Sequence, residues 1–123
     1  MTGGSGRDRL YGDNGNDTLF GNQGQDILYG GAGDDFLDGG EESDRLIGNS
    51  GRDSFVVEGG DLVYDYLDGT DKLELSNSIS FEQLTFTQTN SHTQIKIQTT
   101  DEILGTLYNV DANLIDSNDF NLV

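Results

Sequence analysis

The chain has no cysteine and no proline among its 123 residues. Without cysteine, no disulfide supplies the stability on which small secreted domains often rely. No apolar run of about 18 residues is present, nor a charged, apolar N-terminal leader, so nothing reads as inserting into a membrane or as entering the general secretory route by an N-terminal signal. Basic charge is scarce: 6 Lys and Arg stand against 23 Asp and Glu, for a net charge of −17 at pH 7. That balance disfavours nucleic acid, anionic membranes and acidic polysaccharides as partners and points toward cations. Hydrophobic residues make up only 33%. An acidic chain of this size buries a modest core and, left alone, favours an expanded state.

Glycine is what the chain has in abundance, and it is unevenly placed. Of 18 glycines, 16 precede residue 61, and the first 71 residues hold 16 acidic and 4 basic side chains, −12 of the total, leaving −5 for the remainder. Residues 3–56 divide into six nonapeptides: GGSGRDRLY, GDNGNDTLF, GNQGQDILY, GGAGDDFLD, GGEESDRLI and GNSGRDSFV. A repeat of fixed period is read before any single residue.

Position one is glycine in every copy: Gly3, Gly12, Gly21, Gly30, Gly39 and Gly48. Position six is aspartate: Asp8, Asp17, Asp26, Asp35, Asp44 and Asp53. Position eight is large and apolar, Leu10, Leu19, Leu28, Leu37, Leu46 and Phe55, while position two is Gly, Asp or Asn, the residues that best tolerate positive φ. The first six positions therefore describe a turn. The last three are β-compatible and too short for a helix, so each repeat predicts a tight turn followed by a short strand.

Strands separated by such turns can wind into a coil in which two repeats complete one circuit and the position-eight side chains point inward. A residue then lies over the one 18 positions later: Asp8 over Asp26, Asp17 over Asp35, Asp26 over Asp44, Asp35 over Asp53. Like charges in registered rows repel, so the rows persist only with something positive between them. Glycine-rich turns leave carbonyl oxygens facing the same space, and an all-oxygen cage of flexible geometry suits calcium better than magnesium.

These residues resemble the RTX, or hemolysin-type, nonapeptide repeat of calcium-binding β-rolls, glycine-glycine-x-glycine-x-aspartate-x-apolar-x. The resemblance covers residues 3–56 and implies an all-β fold, a right-handed parallel β-roll followed by a β-strand C-terminal cap. It also implies several Ca2+ ions, about four or more, held between adjacent turns by the position-six aspartates and by the turn carbonyls of Gly3, Gly12, Gly21, Gly30, Gly39 and Gly48. Two departures matter. Glu42 stands where the other copies have glycine at position four, which puts the calcium site of that turn in doubt, and Asp13 and Asp34 read as solvated.

After residue 56 the spacing breaks, yet Asp61, Asp65, Asp68 and Asp71 keep the acidic turn character. Similar segments close the roll in serralysin-type proteases and alginate epimerase modules, which implies Asp61 and Asp71 as further metal ligands, Asp71 being 18 residues after Asp53. The expected organisation is a calcium-binding roll over 3–71, with the closing turn at 57–71, and a β-rich cap over 72–123. From Leu73 onward the pattern alternates with period two, as in LTFTQ and TQIKIQ, and TNSH reads as the hairpin turn between them. A coil with an open apolar end needs such a terminal unit.

The final NLIDSNDFNLV resembles the terminus of RTX proteins exported by type I secretion, with Phe120 and Val123 packing inward if it is also a capping strand. The implied role is a calcium-driven folding and secretion module of an exported bacterial protein, secreted or extracellular, with a type I secretion apparatus as partner. An extracellular carbohydrate-binding or adhesive surface module is the other reading; glycan binding and self-association stay open. The first repeat begins two residues after Met1, which suggests a module cut from a longer chain whose enzyme domain precedes it. Catalysis is not expected of these residues: His92, the sole histidine, reads as a solvated loop residue, and no serine has a plausible base.

Overall fold

The computed structural model describes residues 1–75 and 79–121. Among the described residues thirteen strands form two sheets: β1 (Thr2–Ser5), β2 (Arg9–Tyr11), β3 (Thr18–Gln23), β4 (Ile27–Ala32), β5 (Phe36–Glu41), β6 (Arg45–Ser50), β7 (Ser54–Val57), β8 (Asp61–Val63), β9 (Lys72–Leu75), β10 (Leu84–Thr89), β11 (His92–Ile97), β12 (Ile103–Leu107) and β13 (Phe120–Asn121). One sheet runs β1-β3-β5-β7-β9-β13, and the other β10-β11-β12-β8-β6-β4-β2. All pairings are parallel except β10 with β11 and β11 with β12. The result is a parallel β-roll with an all-β terminal unit, as the repeat predicts.

Register follows the two-repeat circuit. Leu19 pairs with Leu37 and Leu28 with Leu46, each 18 residues on, so the position-eight side chains superpose in two columns. Leu19, Leu28, Leu37, Leu46 and Phe55 are fully buried, and Leu10 nearly so. Each column removes its apolar side chains from water by stacking on the next coil and by joining the other column in one apolar cluster.

The strands are longer than the sequence pattern predicts. β3 to β6 each run six residues, from position seven through position three of the next repeat, which leaves a turn of only three residues. The pairs Asn22 with Gly40 and Gln23 with Glu41 explain the difference: backbone ladders between coils hold the glycine-rich segment extended, and such ladders need no β-forming side chains.

Beyond β9 the terminal unit continues both sheets. β12 pairs with β8 and β13 with β9, while Leu84, Ile95, Leu104, Leu107, Val110, Ile115 and Phe120 join the same apolar cluster as the roll leucines. The Tyr66 hydroxyl donates to the buried carboxylate of Asp119, and Lys72 donates to the carbonyl of Asn118, tying the closing turn and β9 to the residues just before β13. Phe120 packs inward as expected; Val123 lies outside the described residues.

Candidate metal centre

Two rows of carboxylates run along the turns that join the sheets. One contains Asp8, Asp26, Asp44 and Asp61, the other Asp17, Asp35, Asp53 and Asp71, and a repeated hydrogen bond builds both. The amide of each aspartate donates to Oδ1 of the aspartate in the next coil: Asp8 to Asp26 at 2.7 Å, Asp17 to Asp35 at 2.8 Å, Asp26 to Asp44 at 2.7 Å and Asp35 to Asp53 at 3.0 Å. Asp44 to Asp61 and Asp53 to Asp71 complete the rows, both at 2.9 Å.

The second oxygen of each carboxylate divides the rows into two classes. Oδ2 of Asp8, Asp17, Asp26, Asp35, Asp44 and Asp53 is buried and accepts nothing. Oδ2 of Asp61 accepts from the amide of Glu58, and Oδ2 of Asp71 from that of Leu67. Six expected ligands thus present a bare anionic oxygen, one for each gap between successive coils, whereas the last aspartate of each row has both oxygens engaged. The amides of Gly48 and Asn49 are taken by Asp65, at 2.9 and 2.6 Å. Its spacing of 17 from Gly48 was the signal that could have found it.

The position-one glycines wall this space. A Cβ on Gly3 would lie 2.8 Å from Oδ2 of Asp8 and 2.9 Å from the carbonyl oxygen of Gly21; on Gly30, 2.6 Å from Oδ2 of Asp35 and 2.8 Å from the carbonyl oxygen of Gly48. Gly12 and Gly21 bring Asp17 and Asp26 together with the carbonyls of Gly30 and Gly39 in the same way. Four of the expected carbonyl donors, those of Gly21, Gly30, Gly39 and Gly48, therefore stand beside a bare carboxylate oxygen. Gly3 and Gly12 themselves line this space against Asp8 and Asp17. Among the described residues no three acidic or histidine side chains converge, so the donor set is mixed carboxylate and carbonyl.

Burial without a cation is costly, and the protonation equilibria register it. Desolvation, reinforced by neighbouring carboxylates, pushes Asp44 up to about 6, Asp53 to about 7 and Asp61 to about 8, and raises Asp26, Asp35 and Asp71. A buried carboxylate oxygen without a donor is relieved by a proton or by a metal ion. Hard oxygen donors, one anionic and one carbonyl, in a space kept clear by glycine fit a divalent cation such as calcium.

Several expectations are refined. Asp34 is not merely solvated: its Oδ1 accepts the amide of Arg52 at 2.9 Å and its own amide donates to Asn16 at 2.8 Å, a second ladder at position five. Asp13 is exposed, as expected. Glu42 adopts φ 76°, so its turn keeps the shape of the glycine copies. His92 is not a free loop residue; it opens β11, its ring stacks 4.3 Å from that of Tyr108, and Nδ1 accepts the amide of Asn109. Two-residue hairpin geometry pairs it with Thr89 and brings it against the neighbouring strand.

Comparison with known proteins agrees with the geometry. The AlgE6R3 subunit of the Azotobacter vinelandii mannuronan C5-epimerase superposes with a TM-score of 0.76 at 24% identity, over 97% of this chain and 80% of that one. The AlgE6R2 subunit gives 0.71 at 26%, over 98% and 90%. The extracellular lipase LipA of Serratia marcescens gives 0.66 at 24%, over 94% of this chain but only 21% of the lipase. No curated protein matches significantly. The family model described as RTX calcium-binding nonapeptide repeat (4 copies) matches residues 2–37, 29–61 and 38–73. Together these segments span more than half of the chain, which belongs to the RTX calcium-binding repeat family.

Proposed function

We propose that calcium filling the two carboxylate rows drives folding of this module, and that it serves as the C-terminal folding and export unit of a secreted bacterial protein. The observation that carries the reading is the set of six buried Oδ2 atoms without a donor, one per gap between coils. One ion per gap gives six, with Asp8, Asp17, Asp26, Asp35, Asp44 and Asp53 as side-chain ligands and the glycine carbonyls beside them as backbone ligands. Asp61 and Asp71, with both oxygens engaged, end the rows as hydrogen-bond acceptors.

Calcium supplies charge neutralisation here. Residues 3–71 form the part that responds to it and residues 72–123 the cap. A site occupied at 100 times its dissociation constant stabilises by about 2.7 kcal/mol. A few filled sites therefore reach the margin of about 5–15 kcal/mol on which a whole domain rests. In calcium-poor cytoplasm the registered carboxylates keep the chain open for a type I secretion apparatus; outside, calcium closes the coils. This reading assigns the module no catalysis.

Far-ultraviolet circular dichroism of the whole chain during a calcium titration, with magnesium as control, tests the reading. A cooperative coil-to-β transition in calcium alone is expected. A chain fully folded in chelator defeats it.

One observation favours a second role, in glycan binding or adhesion. On the outer face of the seven-stranded sheet Tyr11, Tyr29 and Ile47 lie on β2, β4 and β6, Tyr64 and Tyr108 directly follow β8 and β12, and His92 opens β11, with Tyr11 stacked on Tyr29 at 4.8 Å and Tyr64 against Tyr108 at 4.6 Å. Arg9 and Arg45 lie in the adjacent row, and the only ion pair among the described residues is Lys96 with Asp101. An aromatic face with unpaired arginines on so acidic a molecule suits a sugar polymer. Calorimetry with mannuronan and with neutral glycans, comparing the wild type with Tyr29→Ala, decides it; no heat from any of them removes this role.

A further inference from the structure

β10 is the outer strand of the seven-stranded sheet and pairs only with β11. Gln98 donates its amide to the carbonyl of Gln83 at 2.7 Å, and this sets the antiparallel alternation: Thr85, Thr87 and Thr89 exchange backbone bonds with Lys96, Gln94 and His92. Phe86 and Gln88 therefore turn N–H and C=O to the open side, and among the described residues these four groups have no partner. The amide of Leu84 is already used, on the carbonyl of Phe81.

Natural edge strands are blunted by lysine, proline, a bulge or a covering segment. β10 carries no charge and no proline, and it runs straight in register with β11 for six residues. It lies within Gln83–Ile95, a stretch with no charged side chain in a chain of 23 acidic and 6 basic ones. Beside it opens a groove of about 690 Å³ whose lining includes Phe86, Gln88, Asn90, Asp111 and Ala112; the amide of Ala112 donates to the Gln88 side chain, but no described group bonds the outward backbone of Phe86 and Gln88.

We propose that this edge pairs with the same edge of a second copy, antiparallel about Thr87, joining two seven-stranded sheets into one. The strand itself identifies the occupant. Read from Thr87 outward, LTFTQT is symmetric in its exposed threonines, Thr85 and Thr89. In that register Phe86 of each copy exchanges both backbone bonds with Gln88 of the other, so all four free groups are used. Thr87 meets Thr87, and Thr85 meets Thr89 of the second copy, cross-strand pairs favourable on a sheet face. An unrelated strand would satisfy the backbone but not this threonine match. The two paired strands carry no charge, Asp111 being confined to the groove beside them, which matters between two molecules of net charge −17. Edge pairing buries little area, so a weak dimer, formed at high micromolar concentration, is expected.

Thr87→Cys is the direct probe, because the chain has no cysteine of its own. Across a non-hydrogen-bonded pair the two Thr87 Cα atoms lie about 4.5 Å apart, within disulfide reach, whereas the two Thr85 positions are offset by about 14 Å. In calcium under mild oxidation the full-length Thr87→Cys chain should cross-link at least about tenfold faster than Thr85→Cys, and a mixture of Thr85→Cys with Thr89→Cys should cross-link as heterodimer. Sedimentation equilibrium should show a wild-type dimer that Thr87→Lys loses with its circular dichroism unchanged. A wild type still monomeric at millimolar concentration, equal cross-linking of Thr87→Cys and Thr85→Cys, or a dimer that survives in a folded Thr87→Lys chain overturns the proposal.

Discussion

Single positions in the turns separate backbone strain from cation chemistry. Glu42 holds φ 76° where the equivalent Gly6, Gly15, Gly24, Gly33 and Gly51 sit between 96° and 120°. A left-handed conformation costs an L-residue roughly 1–2 kcal/mol, partly offset because glycine loses more freedom on folding. Glu42→Gly is therefore expected to stabilise the calcium-loaded protein by about 1 kcal/mol, read from a urea unfolding midpoint; an unchanged or lower midpoint refutes the strain. Gly30 poses the opposite case, since its φ is not in the left-handed region and alanine would bring no dihedral strain. Its Cβ would instead occupy the space between Asp35 and the Gly48 carbonyl. Gly30→Ala should raise the calcium midpoint several-fold, whereas an unshifted titration would mean that no ion uses that gap.

Between neighbouring coils, proton and calcium compete for the same carboxylates. The buried row members have folded-state pKa values raised above the ordinary 3.8, to about 6, 7 and 8 for Asp44, Asp53 and Asp61. Between those limits the folded chain binds more protons than the unfolded one, so stability falls as pH rises. In chelator the contribution of these groups is full below about pH 4 and is lost as pH climbs through their folded values. Acidifying the metal-free protein from pH 8 to about 5 is thus expected to recover part of the β signal that calcium induces; ellipticity that stays at the coil value would contradict this. The stacking itself was legible: the period, the inward leucines and the aspartate columns all follow from the nine-residue phase. What was hidden is whatever the backbone does alone. Gly39 and Gly40 lie in β5 because another coil offers hydrogen bonds, and no side chain at those positions announces a strand. The engaged oxygens of Asp61 and Asp71 were equally hidden, because their donors, Glu58 and Leu67, lie in the aperiodic closing turn.

Across the whole molecule the cap holds one strand of each sheet: β8 receives β12, and β9 receives β13. The far end is different, since β1 and β2 are outer strands and Oδ1 of Asp8 and Asp17 has no amide from a preceding coil. Length can therefore change only in whole circuits. Duplicating residues 21–38 adds one strand to each sheet and one member to each row, and leaves every cap contact in place. Duplicating residues 21–29 alone adds a single strand, so each strand upstream must change sheets and the two rows exchange their upstream members. The 18-residue duplication is expected to fold with an enlarged calcium response, measured by circular dichroism. The nine-residue one should fold only by carrying every upstream strand across to the opposite sheet, a swap visible in cross-strand amide contacts by NMR; upstream pairs retained unchanged would refute it. A nonapeptide is thus the unit in which this chain is spelled, but the pair is the unit in which it can be lengthened without changing its parity.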